Sequence, residues 1–371
     1  MGRKYTVFQS VTIIFFLFAT LFGSLPVVAS EHQNEEKGVK AAEEEELEIG
    51  KMIIEHITDS YEWHILTVGE HHISIPLPVI LYDGGNWYLF SSSRFHHGHS
   101  DYKGFYVSEE QGPNQGKIVR KNSLGEEVRP QLDISITKTV FAILFNSFLV
   151  ILIFMSVAKS YKKREGKAPK GLQSLLEPLI LFVRDDVAKS SIGEKRYETY
   201  LPFLLTLFFF IFLNNLMGIV PFFPGGANVT GNIGVTGVMA AFTFVITTVS
   251  GNKHYWTDIF NTPGVPWWLK IPVPLMPIVE VMGVFTKPIV LMIRLFANMS
   301  AGHIVILGFV SLIFIFGKVS VGLGYGVSLV SVGFSVFLDL LELLVAFIQA
   351  YVFTLLSALY FGMATAEPEH H

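Results

Sequence analysis

Hydrophobic and polar positions divide the chain into two regimes. From residue 137 onward the sequence runs in long apolar blocks, at 138–158, 199–222, 233–250, 274–316 and 324–363. A hydrocarbon layer of about 30 Å takes roughly 20 helical residues to cross. Inside it the backbone must satisfy its own hydrogen bonds, so each block predicts a helix. Residues 171–190 are apolar on one side only, with Leu172, Leu175, Leu176, Leu179, Ile180 and Val183, and carry Arg184, Asp185 and Asp186 near their end. That pattern predicts a helix lying in the membrane interface. Before residue 137 the pattern is short. HISIPLPVILY and WYLFSS flank Asp83-Gly84-Gly85-Asn86, a β-hairpin signature. Further turn signals stand at Gly112-Pro113 and from Asn122 to Gly125. The expected fold is an all-α membrane domain over 137–366, with five spans and one interfacial helix. A small β-rich domain at 30–136 precedes it and a tail at 367–371 follows.

Two blocks are too long for a simple crossing. Residues 274–316 number 43, roughly 65 Å as a helix. Either the segment lies very oblique to the membrane or it breaks into a re-entrant pair, and 324–363 poses the same choice.

Residues 1–29 have the pattern of an export signal: Arg3 and Lys4, the apolar run 11–23, then small residues at Val27 and Ala29. An uncleaved anchor is the alternative, because 11–29 nearly spans a bilayer. An acidic stretch with eight Glu follows up to residue 50, a solvated helix or tail by composition. Basic residues set the orientation. The loops at 159–197 and 251–273 hold twelve Lys/Arg, against Lys318 alone at 223–232 and 317–323. The β-rich domain is therefore expected outside and the C-terminus inside. His254, Trp256, Trp267 and Trp268 give the loop 251–273 an interfacial character.

Composition narrows the function. Hydrophobic residues make up 51% of the chain and charged ones 16%, against about 25% charged in soluble domains. This excludes a cytosolic enzyme and a disordered chain. A net charge of −4 gives no reason to expect nucleic acid. With no Cys there are no disulfides, thiol nucleophiles, iron–sulfur clusters or thiolate zinc sites. His71-His72 and His96-His97-x-His99 could bind metal, but their loose spacing fits solvated or packed histidines better. No metal or cofactor is expected.

Ionisable residues inside spans are functional candidates by default. The first long segment carries Glu280, Lys287, Arg294 and His303, and the second carries Asp339 and Glu342, with the polar Gln349. Glu280, Lys287 and Arg294 repeat every seven residues, about 700° of helix, so they share one face, and Asn298 joins it one turn on. Glu342 and Gln349 repeat likewise, with Asp339 one turn before. The two polar faces are expected to turn toward each other or toward another protein. Arg294 is central in its segment, and burying an arginine there costs about 2.5–3.5 kcal/mol on insertion scales. It keeps its proton, so it either snorkels to the interface or meets a carboxylate from elsewhere. His303 and Glu342 fit a proton relay and fit equally a polar pair that fixes helix packing.

At RLFANMSAGH (294–303) the sequence resembles subunit a of the F-type ATP synthase, the stator subunit beside the rotating c-ring. Arg294, Leu295, Phe296, Asn298, Met299, Ala301 and Gly302 match that family's essential-arginine motif. Glu280 and Lys287-Pro288 match in position. NLMGIVP, opening at Asn215, and QAYVFTLLSALYFGMA, opening at Gln349, resemble its other helix motifs. The likeness covers about residues 137–366. It implies that the last two helices run steeply inclined around the c-ring, which accounts for the two long blocks. It implies a non-catalytic, proton-translocating subunit in a bacterial inner membrane, partnered by the c-ring, subunit b and the lipid bilayer. It places Arg294 against the ring carboxylate and His303, Glu342 and Gln349 in an outer half-channel, counts Asn298 with them among the proton-translocating residues, and leaves Glu280, Lys287, Asp339 and Asn215 as a supporting polar stripe. Three departures stand out. Gly218 occupies a position where some members carry Asp. His303 and Glu342 stand where many bacterial members have Glu and His, an exchanged pair. The region 31–136 is far longer than in many members. A secondary transporter with a midplane ion site is the rival reading, and it would call for inverted repeats, which the spans do not display.

Overall fold

The computed structural model describes residues 58–261 and 275–366, apart from 69, 70, 99, 109, 111, 113, 123, 165, 221 and 222. The expected signal segment, the acidic stretch, Trp267 and Trp268 lie outside the described residues.

The N-terminal part is three small antiparallel sheets. Strands β1 (Glu62–Val68) and β2 (His71–Pro76) pair with each other. Strand β3 (Pro78–Asp83) lies between β4 (Asn86–Ser91) and β8 (Leu132–Asp133), and β6 (Ile118–Lys121) lies between β5 (Phe105–Val107) and β7 (Glu127–Val128). The β3–β4 hairpin closes at the Asp83–Asn86 pair, with Gly84 and Gly85 at φ 55° and 83°. Two successive positive φ values are what a two-residue hairpin turn demands and what glycine supplies without strain. The stretch HISIPLPVILY is not one strand. It breaks at Leu77 into β2 and β3, which join different sheets. Pro76 and Pro78 flank the break and lack the N–H that a continuous ladder needs. Alternation along β3 sends Val79 and Leu81 into a core with Tyr61, Phe95, Phe105 and Ile118. Burial and the bonded Asp133 carboxylate push the Tyr61 phenol up.

The sheets are tied to the first long helix, α1 (Lys138–Lys163). Thr137 caps it, and the Asp59 carboxylate accepts from the Thr137 hydroxyl at 2.7 Å and the Thr139 N–H at 2.9 Å. These acceptors satisfy donors that a helix start leaves open.

Among the described residues five helices are long and apolar enough to cross a membrane. They are α1, α3 (Tyr197–Ile219), α4 (Ile233–Ser250), α6 (Leu275–Val319) and α7 (Val321–Thr365). Between α1 and α3, α2 (Leu172–Phe182) continues through a π-helical stretch, Val183–Lys189, and a last turn, Ser190–Ile192. Its Asp185 carboxyl is pulled down to about 2, chiefly by hydrogen bonds from Arg184, with Lys189 adding to the effect. Short α5 (Lys253–Phe260) follows α4, capped by the Asn252 side chain.

Helices α6 and α7 have 45 residues each and are unbroken. At about 68 Å each can lie in a membrane only at a steep incline, so the oblique alternative holds and the re-entrant one does not. Leu291, Leu295 and Met299 form a buried stripe on α6 at four-residue spacing, packed against Leu204, Phe208 and Ile211 of α3 and Ala350, Phe353 and Phe361 of α7. The C-terminal end of α7 is held by donors: the Arg196 guanidinium reaches the Thr365 carbonyl at 2.8 Å and the Asn252 N–H reaches the Ala364 carbonyl at 3.0 Å. Terminal carbonyls of a helix otherwise lack partners.

Candidate functional site

The buried stripes of α6 and α7 each end in an ionisable residue. His303 is one turn past Met299, and Glu342 is one turn before Ala346. His303 Nδ1 and Glu342 Oε1 are 2.7 Å apart, with the side chains 11% and 6% exposed. His303 lies about half a turn round α6 from the Glu280–Lys287–Arg294 face, so α6 meets Glu342 through its buried stripe and not through that polar face. Gly302 makes room for the meeting, since a Cβ there would sit 2.7 Å from Glu342 Oε1. On the other side of the ring, Gly218 leaves a methyl-sized gap. A Cβ at 218 would be 3.8 Å from His303 Nε2 and 3.5 Å from the Ala227 carbonyl oxygen. If Nδ1–H donates to the carboxylate, Nε2 is the atom free to take a proton at that gap. Asp339 is half-buried and feels the charges of both Glu342 and His303.

A polar shell surrounds the gap. The Thr230 hydroxyl donates to Asn215 Oδ1 at 2.6 Å, and the Ser300 hydroxyl donates to the Gly231 carbonyl at 3.4 Å. Asn228 accepts from the Gly231 N–H at 2.9 Å, while its buried Nδ2 has no hydrogen-bond partner among the described residues. Asn146 of α1 donates to Asn214 of α3 at 2.9 Å, both fully buried. Buried amides left only partly satisfied are the usual lodging of ordered water. Gln349 is buried on the same face of α7, two turns beyond Glu342.

Arg294 stands apart. It follows Leu291 by three residues and precedes Leu295 by one, so it points off the buried stripe, and both it and Asn298 are exposed. No carboxylate lies within ion-pair distance of it among the described residues. Along α6 it lies nine residues from His303 and seven from Lys287, about 14 and 11 Å at the helical rise.

Beyond it is a second polar cluster. Lys287 Nζ lies 5.5 Å from the centre of the Tyr360 ring, and Tyr360 also feels the charge of Arg294. Lys287, Tyr360, Thr243, Thr247 and Tyr255 line a shallow open cleft. Burial, then the Glu280 carboxylate, push the Tyr255 phenol up. The sequence singled out Glu280 and Lys287 here, but not Tyr360 or Tyr255. Nor did it single out Asn146, Asn228 and Thr230 in the first cluster. A lone amide in the apolar block of α1 was the one available signal, and it pointed to Asn146. Among the described residues no group of three or more His, Asp or Glu is arranged to hold a metal ion.

Five long apolar helices, two of them steeply inclined, enclose two polar clusters with an unpaired arginine between them. That is the design of an ion-translocating membrane subunit, not of a catalyst. The chain belongs to the ATP synthase A chain family, whose profile matches residues 140–362. It is 45% identical over 245 residues to "ATP synthase subunit a" of Chloroherpeton thalassium, covering 64% of this chain and 69% of that one. It is 46% identical over 264 residues to "ATP synthase subunit a 2" of Prosthecochloris aestuarii, covering 68% and 77%. It is 45% identical over 246 residues to "ATP synthase subunit a" of Myxococcus xanthus, covering 65% and 76%. Residues 52–139 match a family described as a domain of unknown function.

Proposed function

We propose that the chain carries protons through the membrane sector of an ATP synthase by two offset half-channels that meet a ring of c subunits. The sheets and the His303–Glu342 end lie outside, in line with the charge bias of the loops, and the cleft at Lys287 opens inside. A proton reaches His303 Nε2 through the Gly218 gap, passes to Glu342 and onward past Gln349 to a ring carboxylate. Neutralised, that carboxyl can turn through lipid, because the cost of burying its charge is gone. On meeting Arg294 it ionises, since a neighbouring cation favours the charged form of an acid. The proton leaves by the cleft lined by Lys287, Tyr255 and Tyr360, with Glu280 near its mouth. Arg294 also blocks a direct leak from one cluster to the other, because a fixed cation repels an excess proton. Asn298, Asp339 and Asn215 tune the polarity of the path. Subunit b is the expected partner on the side away from the ring.

The observation that carries this reading is Arg294, exposed at mid-helix between two polar clusters and without a carboxylate of its own. The energetic cost of such a residue is met only if a partner supplies the counter-charge. The chain has no cysteine, so single cysteines can map that partner. Placed at Ala297 or Ala301, both exposed, they should form disulfides with cysteines on the outer helix of the c subunit. A cysteine at buried Met299 should not. Cross-links from Met299 but not from Ala297 would overturn the assignment of this face to the ring.

A further inference from the structure

We infer that the β-rich N-terminal domain acts as a clamp on the outer proton entrance, and that Trp63 is the positioning residue through which it acts. The inference rests on the reading of the His303 cluster as the uptake side.

Trp63 belongs to β1, yet it is absent from the core of its own sheets, which gathers Tyr61, Val79, Leu81, Phe95, Phe105 and Ile118. It is only 4% exposed because it packs elsewhere, with Ala142 of α1 and with Ala227 and Val229 of the α3–α4 connection. Its ring meets Phe141 edge-on at 5.7 Å and 84°, and Phe223 edge-on at 5.3 Å and 81°. Edge-to-face pairs are directional, so two of them nearly at right angles fix a ring in place as a greasy contact does not.

What Trp63 holds is the stretch 223–231, and that stretch forms one wall of the site. The Ala227 carbonyl borders the Gly218 gap into which His303 Nε2 looks. Thr230 bonds Asn215, and Gly231 accepts from Ser300, one turn before His303. Asn228, between them, is 6% exposed with its Nδ2 unpartnered among the described residues. Its Oδ1 is held by the Gly231 N–H, and an unpartnered buried amide in this stretch is suited to order water near the site. The other end of the clamp is equally fixed: Asp59 accepts from Thr137 and Thr139, and the Lys138 N–H donates to the Ser60 carbonyl at 2.8 Å. The residues just before β1 are thus bonded to the start of α1, and the second residue of β1, Trp63, presses on the wall of the gap. A domain anchored only for attachment would need the first set of bonds and not the second.

The test uses the whole synthase in vesicles, stripped of its catalytic head, with passive proton flux measured while outer and inner pH are varied separately. Trp63→Ala should lower the flux clearly below the wild-type value, because the wall of the gap loses both edge-to-face contacts that hold it. It should displace the dependence on outer pH and leave the dependence on inner pH as in the wild type. Trp63→Phe, which keeps an aromatic edge, should recover most of the flux. Phe223→Ala removes the contact from the loop side and should reproduce the outer-pH displacement, which decides the matter if Trp63→Ala does not assemble. An assembled variant with wild-type outer-pH dependence overturns the inference, and so does a loss that alters both pH profiles alike. His303→Ala in the same vesicles separates the two layers. If it leaves the outer-pH profile untouched, the uptake reading itself fails, whatever Trp63 does.

Discussion

His303 of α6 and Glu342 of α7 lie 39 positions apart in the chain and meet at 2.7 Å, nearly shut off from solvent. An isolated carboxylate would be costly there, so each residue makes the other tolerable. A hydrogen-bonded relay is indifferent to which helix supplies which partner.

His303→Ala and Glu342→Ala are expected to assemble and to impair proton flow. The double exchange, His303→Glu with Glu342→His, should recover more ATP synthesis than either single exchange, because it restores one acid and one imidazole at the same junction. Coupled residues show such non-additivity and independent ones do not. A double mutant no better than the worse single one would favour a pair that merely fixes packing.

Gly302→Ala should weaken the same junction without touching either residue. The added methyl would lie 2.7 Å from Glu342 Oε1, and overpacking of this kind typically costs about 1–3 kcal/mol. Proton flux through the stripped membrane sector should fall, and Glu342→Asp, shorter by one methylene, should restore part of it. Full flux in Gly302→Ala alone would contradict the geometry described.

Orientation can be read by labelling. Gln115 in the β-rich domain and Ala366 past α7 are both exposed. Single cysteines there should react with a membrane-impermeant reagent from opposite sides, Gln115 from outside. Reaction of both from one side would reject the five-span topology.

Much of this architecture was legible in the sequence, and the limits are physical. The spans could be read because an apolar block must be helical in lipid whatever it packs against. Arg294 could be read for the same reason, since its cost depends on depth and not on neighbours. The length of α6 and α7 announced an anomaly but left incline and re-entrant break open, a choice that only the backbone resolves. Pairings across the fold were out of reach. Asn146 and Asn214 are 68 positions apart, Lys287 and Tyr360 lie on different helices, and no local pattern brings Trp63 to Phe223. The break at Leu77 was readable in principle from Pro76 and Pro78, but alternating apolar positions on both sides mask it.

The most direct test of the mechanism is proton-driven ATP synthesis by an Arg294→Ala synthase, measured beside its passive proton flux with the catalytic head removed. The variant should insert and assemble, since it removes an insertion cost rather than adding one. ATP synthesis should vanish, because nothing then drives the ring carboxylate to ionise at the exit, and protons should pass directly from one cluster to the other without turning the ring. Arg294→Lys should fail as well, because an ammonium can lose its proton when buried and lacks the planar fork of the guanidinium. ATP synthesis by Arg294→Ala at close to the wild-type rate would contradict the proposed mechanism.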